Sequence, residues 1–240
     1  MKGLITNMRN NKDKRKLKTE PKFQVDLNEE QKRAKTLFYE YDVNFIHGDY
    51  GAGKTLLACE IALSSFRKKQ FNKIVITRPV VRNELGFLPG DVGAKMEPLV
   101  APIVHNFNML QNPSMTEKMM ADKTIEILPV SYSKGITFVE SVIIIDEYED
   151  LTYSDFRMLL TRLGKDSKII FCGSKEQVDR KIGEYSCMHE TLKLKDSGIV
   201  GFSTLKSNHR NQAIYEVLDF LEGTDTEKEE EYEECKNSES

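Results

Sequence analysis

The chain has 240 residues, 35 of them lysine or arginine and 38 aspartate or glutamate, for a formal net charge of −3. That length suits one large α/β domain or two small ones, and the near balance of charge carries no overall signature of a nucleic-acid binder or of a protein built for an acidic substrate. No stretch approaches the length of a membrane span, and the basic start is not followed by the apolar segment of a secretion signal, so the protein is expected in the cytoplasm with no membrane partner.

Charge is spread unevenly along the chain. Residues 1–24 are strongly basic, residues 223–240 strongly acidic, and neither has an apolar period. Both are expected to be disordered arms flanking one domain over 25–222. The competing reading makes the first an arm that touches a phosphate backbone and the second a tail that contends for the same surface. In between, Leu27 to Tyr41 reads as a helix and "VNFIHG" as a short buried strand ending at Gly48. "KTLLACEIALSSFRKK" carries apolar residues at helical spacing, and "NKIVITRP" is a second strand stopped by Pro79. Val80 to Lys123, with Pro89, Pro98 and Pro102, predicts a loop followed by a helix. "TIEILPVSY", "SVIIID" and "SKIIFCG" supply the third to fifth strands, and Leu151–Arg162 and Gln212–Leu221 complete the helices, with Gly164 expected to end the first of these. Such alternation of strand and helix predicts an α/β fold, a mostly parallel sheet with helices on both faces. The cysteines at 59, 172, 187 and 235 form no Cys-x-x-Cys pair, which argues against a zinc site or a disulfide framework, and Cys59 and Cys172 read as buried thiols.

The stretch "GDYGAGKTL" carries the chemistry. Gly48, Gly53, Lys54 and Thr55 fit G-x-x-x-x-G-K-[ST], directly after a strand and opening a helix. Glycines at 48, 51 and 53 let the backbone around Ala52 curl so that N–H groups, with the helix start at Thr55 and Leu56, point at phosphate oxygens. Lys54 bridges the outer phosphates, and the Thr55 hydroxyl is a ligand for Mg²⁺. The alternative, a glycine-rich turn with an accidental lysine, accounts poorly for strand, loop and helix in register. "SVIIIDEYED" delivers Asp146 and Glu147 to the edge of the sheet, Asp146 for the metal shell beside Thr55 and Glu147 as general base toward an attacking water. An acidic pair also closes many strands merely because a solvated turn follows. The two elements together read as a nucleoside triphosphatase.

"TRPVVRNELGFLPGD", "LLTRLG", "GSKEQVD" and the phosphate loop together resemble the PhoH family of ATPases, in order from about Leu27 to Leu221. The resemblance implies a single RecA-like P-loop domain similar to the motor core of superfamily 1 helicases, ATP and Mg²⁺ as ligands, and homo-oligomers, expected as hexameric rings. It assigns Gln31 to the adenine edge, where a capping box with Asn28 is an equally good account. It places Gln177 at the γ-phosphate or its water, the alternative being a polar turn residue. It makes Arg210 an arginine finger into a neighbouring subunit, against a plain surface arginine. Arg78 falls where helicase-like proteins touch a nucleic-acid backbone; Arg82, Lys95 and Lys134 extend a basic track, with Phe87 available for stacking or for packing under its own loop.

The chain departs from the family's pattern in three places. "DEYED" stands where Asp-Glu-Ala-Gln-Asn is typical, so Glu149 and Asp150 add negative charge that is expected to weaken contact with phosphate. Ser174 replaces an aspartate, and Lys134 with Ile136 stands where two arginines are usual. Two functions compete: an ATPase that couples hydrolysis to RNA or single-stranded DNA, and a nucleotide-dependent oligomeric assembly or regulatory protein with no nucleic-acid activity.

Overall fold

The computed structural model describes residues 26–49, 51–79, 92–177 and 186–206 with positions 217 and 220, and for 92–100 and 176 the backbone alone. The elements, in chain order, are α1 (Glu29–Glu40), β1 (Val43–Gly48), α2 (Lys54–Arg67), β2 (Lys73–Arg78), α3 (Val92–Leu110), α4 (Pro113–Ala121), β3 (Ile125–Pro129), β4 (Ser141–Asp146), α5 (Tyr153–Leu160), β5 (Lys168–Gly173), α6 (Met188–Leu192) and β6 (Gly201–Leu205). Local chemistry starts several of them. The Asn28 side chain accepts from the Gln31 N–H while the Gln31 side chain accepts from the Asn28 N–H, a reciprocal cap on α1. Asn112 accepts from the Ser114 N–H at 3.1 Å and Pro113 takes the first position of α4, where its missing N–H costs nothing.

The strands form one six-stranded sheet in the order β3-β2-β4-β5-β1-β6, with every pairing parallel. Both faces are covered. Ile46, Ile74, Ile144 and Ile170 pack with Phe38 of α1, Ile61 of α2, Phe107 of α3 and Met119 of α4. Their chain neighbours Phe45, Val75, Ile143, Ile145 and Phe171 pack on the other face with Phe156 of α5 and Met188 of α6. Alternate residues thus feed two cores, which is why the central strands read as unbroken aliphatic runs. This is the RecA-like P-loop fold, and β5 lies between the strand that leads into the loop and the strand that carries the acidic pair. Because all strands run the same way, Gly48, Arg78, Asp146 and Gly173 end at one edge of the sheet, where open α/β sheets gather ligands.

Several expectations need correction. The insertion holds two helices, α3 and α4; α3 runs through Pro98 and Pro102, and the burial of Ile103, Phe107 and Leu110 on the core offsets the backbone bonds that prolines remove. The edge strand β6 was not expected, because "GFSTL" pairs only with β1 and lacks a two-faced aliphatic run. The five-residue α6 is too short to show a period. Gly164 does not end α5: the cap is Thr161, and Gly164 has no left-handed backbone. Its N–H bonds to the Phe138 carbonyl at 2.8 Å, and a side chain there would collide with that carbonyl and with Thr137. Cys59, Cys172 and Cys187 are free and buried. The arm 1–24, the tail 223–240, residues 80–91 and, but for 217 and 220, the helix expected over Gln212–Leu221 lie outside the described residues, as does Cys235.

Candidate functional site

Gly53 is the residue before α2 and has φ +78°, with only the Gln31 Nε2, at 3.9 Å, near the place a Cβ would take. Glycine is required there by backbone conformation more than by space. No side chain caps α2, so the first N–H groups of the helix and the positive end of its dipole are left for a ligand. They border a cavity of about 320 Å³ lined by Gly51, Gly53, Lys54, Thr55 and Leu56 from the loop side. Lys54 Nζ donates to the carbonyls of Gly48 at 2.6 Å and Asp49 at 3.1 Å, which holds the ammonium over the loop. Ala52 is buried beneath it.

The end of β4 supplies the opposite wall. The Thr55 hydroxyl donates to Asp146 Oδ1 at 2.6 Å, so the loop and the acidic strand are joined across the cavity. Burial pushes the Asp146 carboxyl above its ordinary range, the Thr55 bond opposing. A hydroxyl and a carboxylate side by side are hard oxygen donors, and the described residues hold no cluster of three or more His, Cys, Asp or Glu able to bind a metal. A two-oxygen site of this kind fits Mg²⁺, which retains waters and shares its shell with substrate phosphates.

Glu147 follows with φ +53°, a left-handed backbone that is strained for a glutamate and that starts a short 3₁₀ turn over Tyr148–Asp150. Its carboxylate lines the cavity and is held by Arg78, whose Nε donates to Oε2 at 2.6 Å and whose second arm pairs with Oε1. Burial alone would lower the Arg78 pKa, but the bond to Glu147 and the neighbouring acids outweigh it and keep the guanidinium charged. Sequence reasoning set these two residues in separate roles; the structure makes them partners.

Tyr148 and Glu149 turn inward. Tyr148 is fully buried, its ring edge-on to Phe45 and Phe171 and its hydroxyl bonded to His47 Nε2, to Thr191 Oγ1 at 3.2 Å and to Met188 Sδ at 3.3 Å. The Glu149 carbonyl accepts from Ser186 Oγ at 2.5 Å, and its side chain, 1% exposed, reaches the cavity floor. Burial pushes that carboxyl up to about 8, with Asp150 and Glu147 adding repulsion and Lys54 opposing. The expectation that Glu149 adds negative charge is therefore corrected: burial outweighs both a bond from its own backbone and the charge of Lys54, so at neutral pH this acid is mostly protonated.

Of the remaining candidates, Gln177 lines the same cavity, half-buried in the 3₁₀ turn after β5. Gln31 lines a second cavity of about 190 Å³ with Asp26, Leu27 and Leu57, and Gly53 and Leu56 border both cavities. The capping box is formed, and it leaves Gln31 on the wall of that cavity. Lys134 is exposed after the 3₁₀ turn that follows β3. Arg82, Arg210 and Phe87, and the side chain of Lys95, lie outside the described residues. Asn106 of α3 and Gly173 of β5 also line the main cavity and were missed. Gly173 opens the quoted "GSKEQVD" but was given no role there, while Asn106 has no motif of its own and only the packing of the insertion brings it to the cavity.

A family profile described as PhoH-like protein matches residues 25–222. The chain belongs to the PhoH family. A PhoH-like protein of Bacillus subtilis is 36% identical over 170 residues, 69% of this chain and 52% of that protein. A PhoH-like protein of Mycobacterium tuberculosis is 32% identical over 177 residues, 72% of this chain and 50% of the other, and Protein PhoH of Escherichia coli is 32% identical over 162 residues, 65% and 46%. The chain spans about half the length of the curated PhoH relatives it matches. Among solved structures, the Pif1 helicase of Candida albicans overlaps 83% of this chain and 44% of its own at 16% identity with a TM-score of 0.43. The large terminase of a thermophilic bacteriophage overlaps 73% and 45% at 12% identity with a TM-score of 0.45. At such scores the likeness says nothing of substrate or partner. No helix among the described residues is long and apolar enough to cross a membrane.

Proposed function

We propose that this PhoH-family chain is a Mg²⁺-dependent ATPase whose site is the cavity between the phosphate loop and the end of β4. The observation that carries the reading is the 2.6 Å bond from Thr55 to Asp146, which sets the loop hydroxyl beside a carboxylate on the wall of a cavity that Lys54 also lines. Gly48, Gly51, Ala52 and Gly53 shape the loop, the N–H groups at Lys54, Thr55 and Leu56 take phosphate oxygens, and Lys54 bridges the outer phosphates. Thr55 and Asp146 would hold Mg²⁺, which would supply neutralisation of the charge on the phosphates. Glu147 accepts the proton of the attacking water as its oxygen bonds to the γ-phosphorus and the bond to the β-phosphate oxygen breaks, releasing ADP and phosphate. Gln177, on the same lining, orients that water.

Base recognition follows from the shared lining of the two cavities. A nucleotide with its phosphates on the loop has room for its base beside Gln31, whose Nε2 makes no hydrogen bond among the described residues and can donate to adenine N7 while Oε1 serves the α1 cap. Arg78 acts as a positioning residue for Glu147, and Arg210 of a neighbouring copy completes the site in a homo-oligomeric ring in the cytoplasm. The domain is residues 25–222, with residues 1–24 and 223–240 as arms.

Coupling to RNA or single-stranded DNA through Arg78, Arg82 and Lys134 is the first reading of what the energy does. A second reading, a nucleotide-dependent assembly without nucleic acid, draws support from the engagement of Arg78 with Glu147, which takes one expected backbone contact out of use. Steady-state ATP hydrolysis with and without RNA and single-stranded DNA separates them: stimulation that fades with salt favours the first, and ATP-dependent oligomerisation with no such response favours the second. Lys54→Ala is expected to cut turnover about 10²–10³-fold, the usual loss when a cation or donor on the transferring phosphate goes. Parent-like hydrolysis by that variant would refute the site.

A further inference from the structure

Glu149 is the one buried acid of the cavity that no role in hydrolysis yet uses. It is 1% exposed, its Oε2 has no hydrogen-bond partner among the described residues, and it lies on the cavity floor with Lys54, Thr55, Gly173 and Gln177. Unpaired buried polar atoms are costly, so one on a side chain that lines a ligand cavity points to a ligand that satisfies the group. Its placement is built. Ser186 fixes the Glu149 carbonyl, Tyr148 anchors the turn from below, and Gly173 leaves space that any side chain would take from Oε2.

The chemistry of the cavity narrows the bond that the Glu149 carboxyl can make. A phosphate oxygen only accepts, and an ionised carboxylate only accepts, so the two repel; a protonated carboxyl supplies the missing donor. We propose that Glu149 is a neutral carboxylic acid that donates its O–H to an oxygen of the terminal phosphate and so distinguishes a triphosphate from a diphosphate. This rests on the nucleotide site described above. The balance of facing groups agrees: burial, Asp150 and Glu147 on its own turn oppose ionisation and together outweigh the two influences that favour it, a bond from the Glu149 backbone and the charge of Lys54 of α2. Cys172 of β5 and Cys187 ahead of α6, the other titratable groups nearby, are held as neutral thiols by burial, and Tyr148 likewise stays a neutral phenol. An incoming γ-phosphate adds negative charge and holds the proton more firmly, so binding a triphosphate at mildly alkaline pH takes up a proton, whereas binding a diphosphate does not.

Calorimetric titration of the full chain with Mg²⁺ and the β,γ-imido analogue of ATP, or with ADP, in buffers of different ionisation enthalpy tests this. At about pH 8, near the midpoint of the Glu149 titration, the parent is expected to take up about half a proton with the triphosphate analogue and close to none with ADP. Above that pH its triphosphate affinity falls by a factor approaching about tenfold per unit. Glu149→Gln, which keeps a donor but cannot titrate, shows no such uptake and a flat profile from about pH 7 to 9. Glu149→Ala loses about tenfold in triphosphate affinity and less than about threefold for ADP, the cost of one donor to a charged group. Equal proton uptake by the parent and Glu149→Gln overturns the proposal, even if Glu149→Ala does not fold. If Lys54→Ala abolishes binding while the Glu149 variants match the parent, only this inference fails. If Lys54→Ala binds like the parent, the nucleotide site fails with it.

Discussion

The phosphate loop and the turn that follows β4 meet at one cavity and are built in opposite ways. The loop works through its backbone: left-handed Gly53, the uncapped start of α2 and one lysine draped over two carbonyls. The turn works through buried side chains, with Tyr148 bonded to three residues on two elements, β1 and α6, and Glu149 closed in against Gly173. A backbone device needs only short residues in order, so it is written locally. A buried side-chain device depends on partners 40 or more positions away, Met188 and Thr191 from Tyr148 and His47 farther still, and it couples the site to the core.

That contrast can be broken at the point where the two regions touch. Glu147→Gln keeps the size of the base but not its proton affinity, and steady-state assays are expected to show turnover down about 10²–10⁴-fold while nucleotide still binds. Full turnover in this variant would move the base elsewhere. Substitutions in the turn should act first on stability. With its folded pKa raised to about 8 from an ordinary 4.5, Glu149 keeps its proton in the fold and loses it in the unfolded chain between those values. The parent's stability therefore falls as pH rises through that window, with a slope approaching about 1.4 kcal/mol per unit. Glu149→Gln removes this dependence, so thermal melts should show its advantage over the parent widening from about pH 5 to 8. Parallel melting curves would mean that Glu149 is ionised in the fold.

Gly173→Ala pushes a methyl into Glu149 and the Tyr148 ring and is expected to cost about 2–3 kcal/mol in denaturant unfolding. The smallest effect is Tyr148→Phe, about 1 kcal/mol, because it removes one hydroxyl from a buried group of four while the edge-on ring contacts remain. A loss from Tyr148→Phe that matched Gly173→Ala would show the hydroxyl network, more than close packing, holding the turn.

The apolar runs of β2, β4 and β5 were legible because both faces of these strands are buried and no polar residue interrupts them, and in β1 only Asn44 breaks the run before Phe45 and Ile46. Edge strand β6 was not, since one-sided pairing leaves "GFSTL" with no such run. The loop with Asp146 and Glu147 was legible as a motif at the right spacing. The pairing of Arg78 with Glu147 was not, because it depends on β2 and β4 lying side by side with their ends level. Glu149 read as an added charge; in the fold it is an acid that burial keeps neutral.

Sequence alone determined the class of this protein, a parallel α/β domain of the PhoH family with a phosphate loop, because period, turn residues and a contiguous motif act over a few residues at a time. Only the tertiary structure decided which carboxylates are charged, which cation holds the base, and which residue of the insertion reaches the cavity. Those properties are set by the order of strands in the sheet and by how far each group is withdrawn from water, and neither is a property of neighbouring letters.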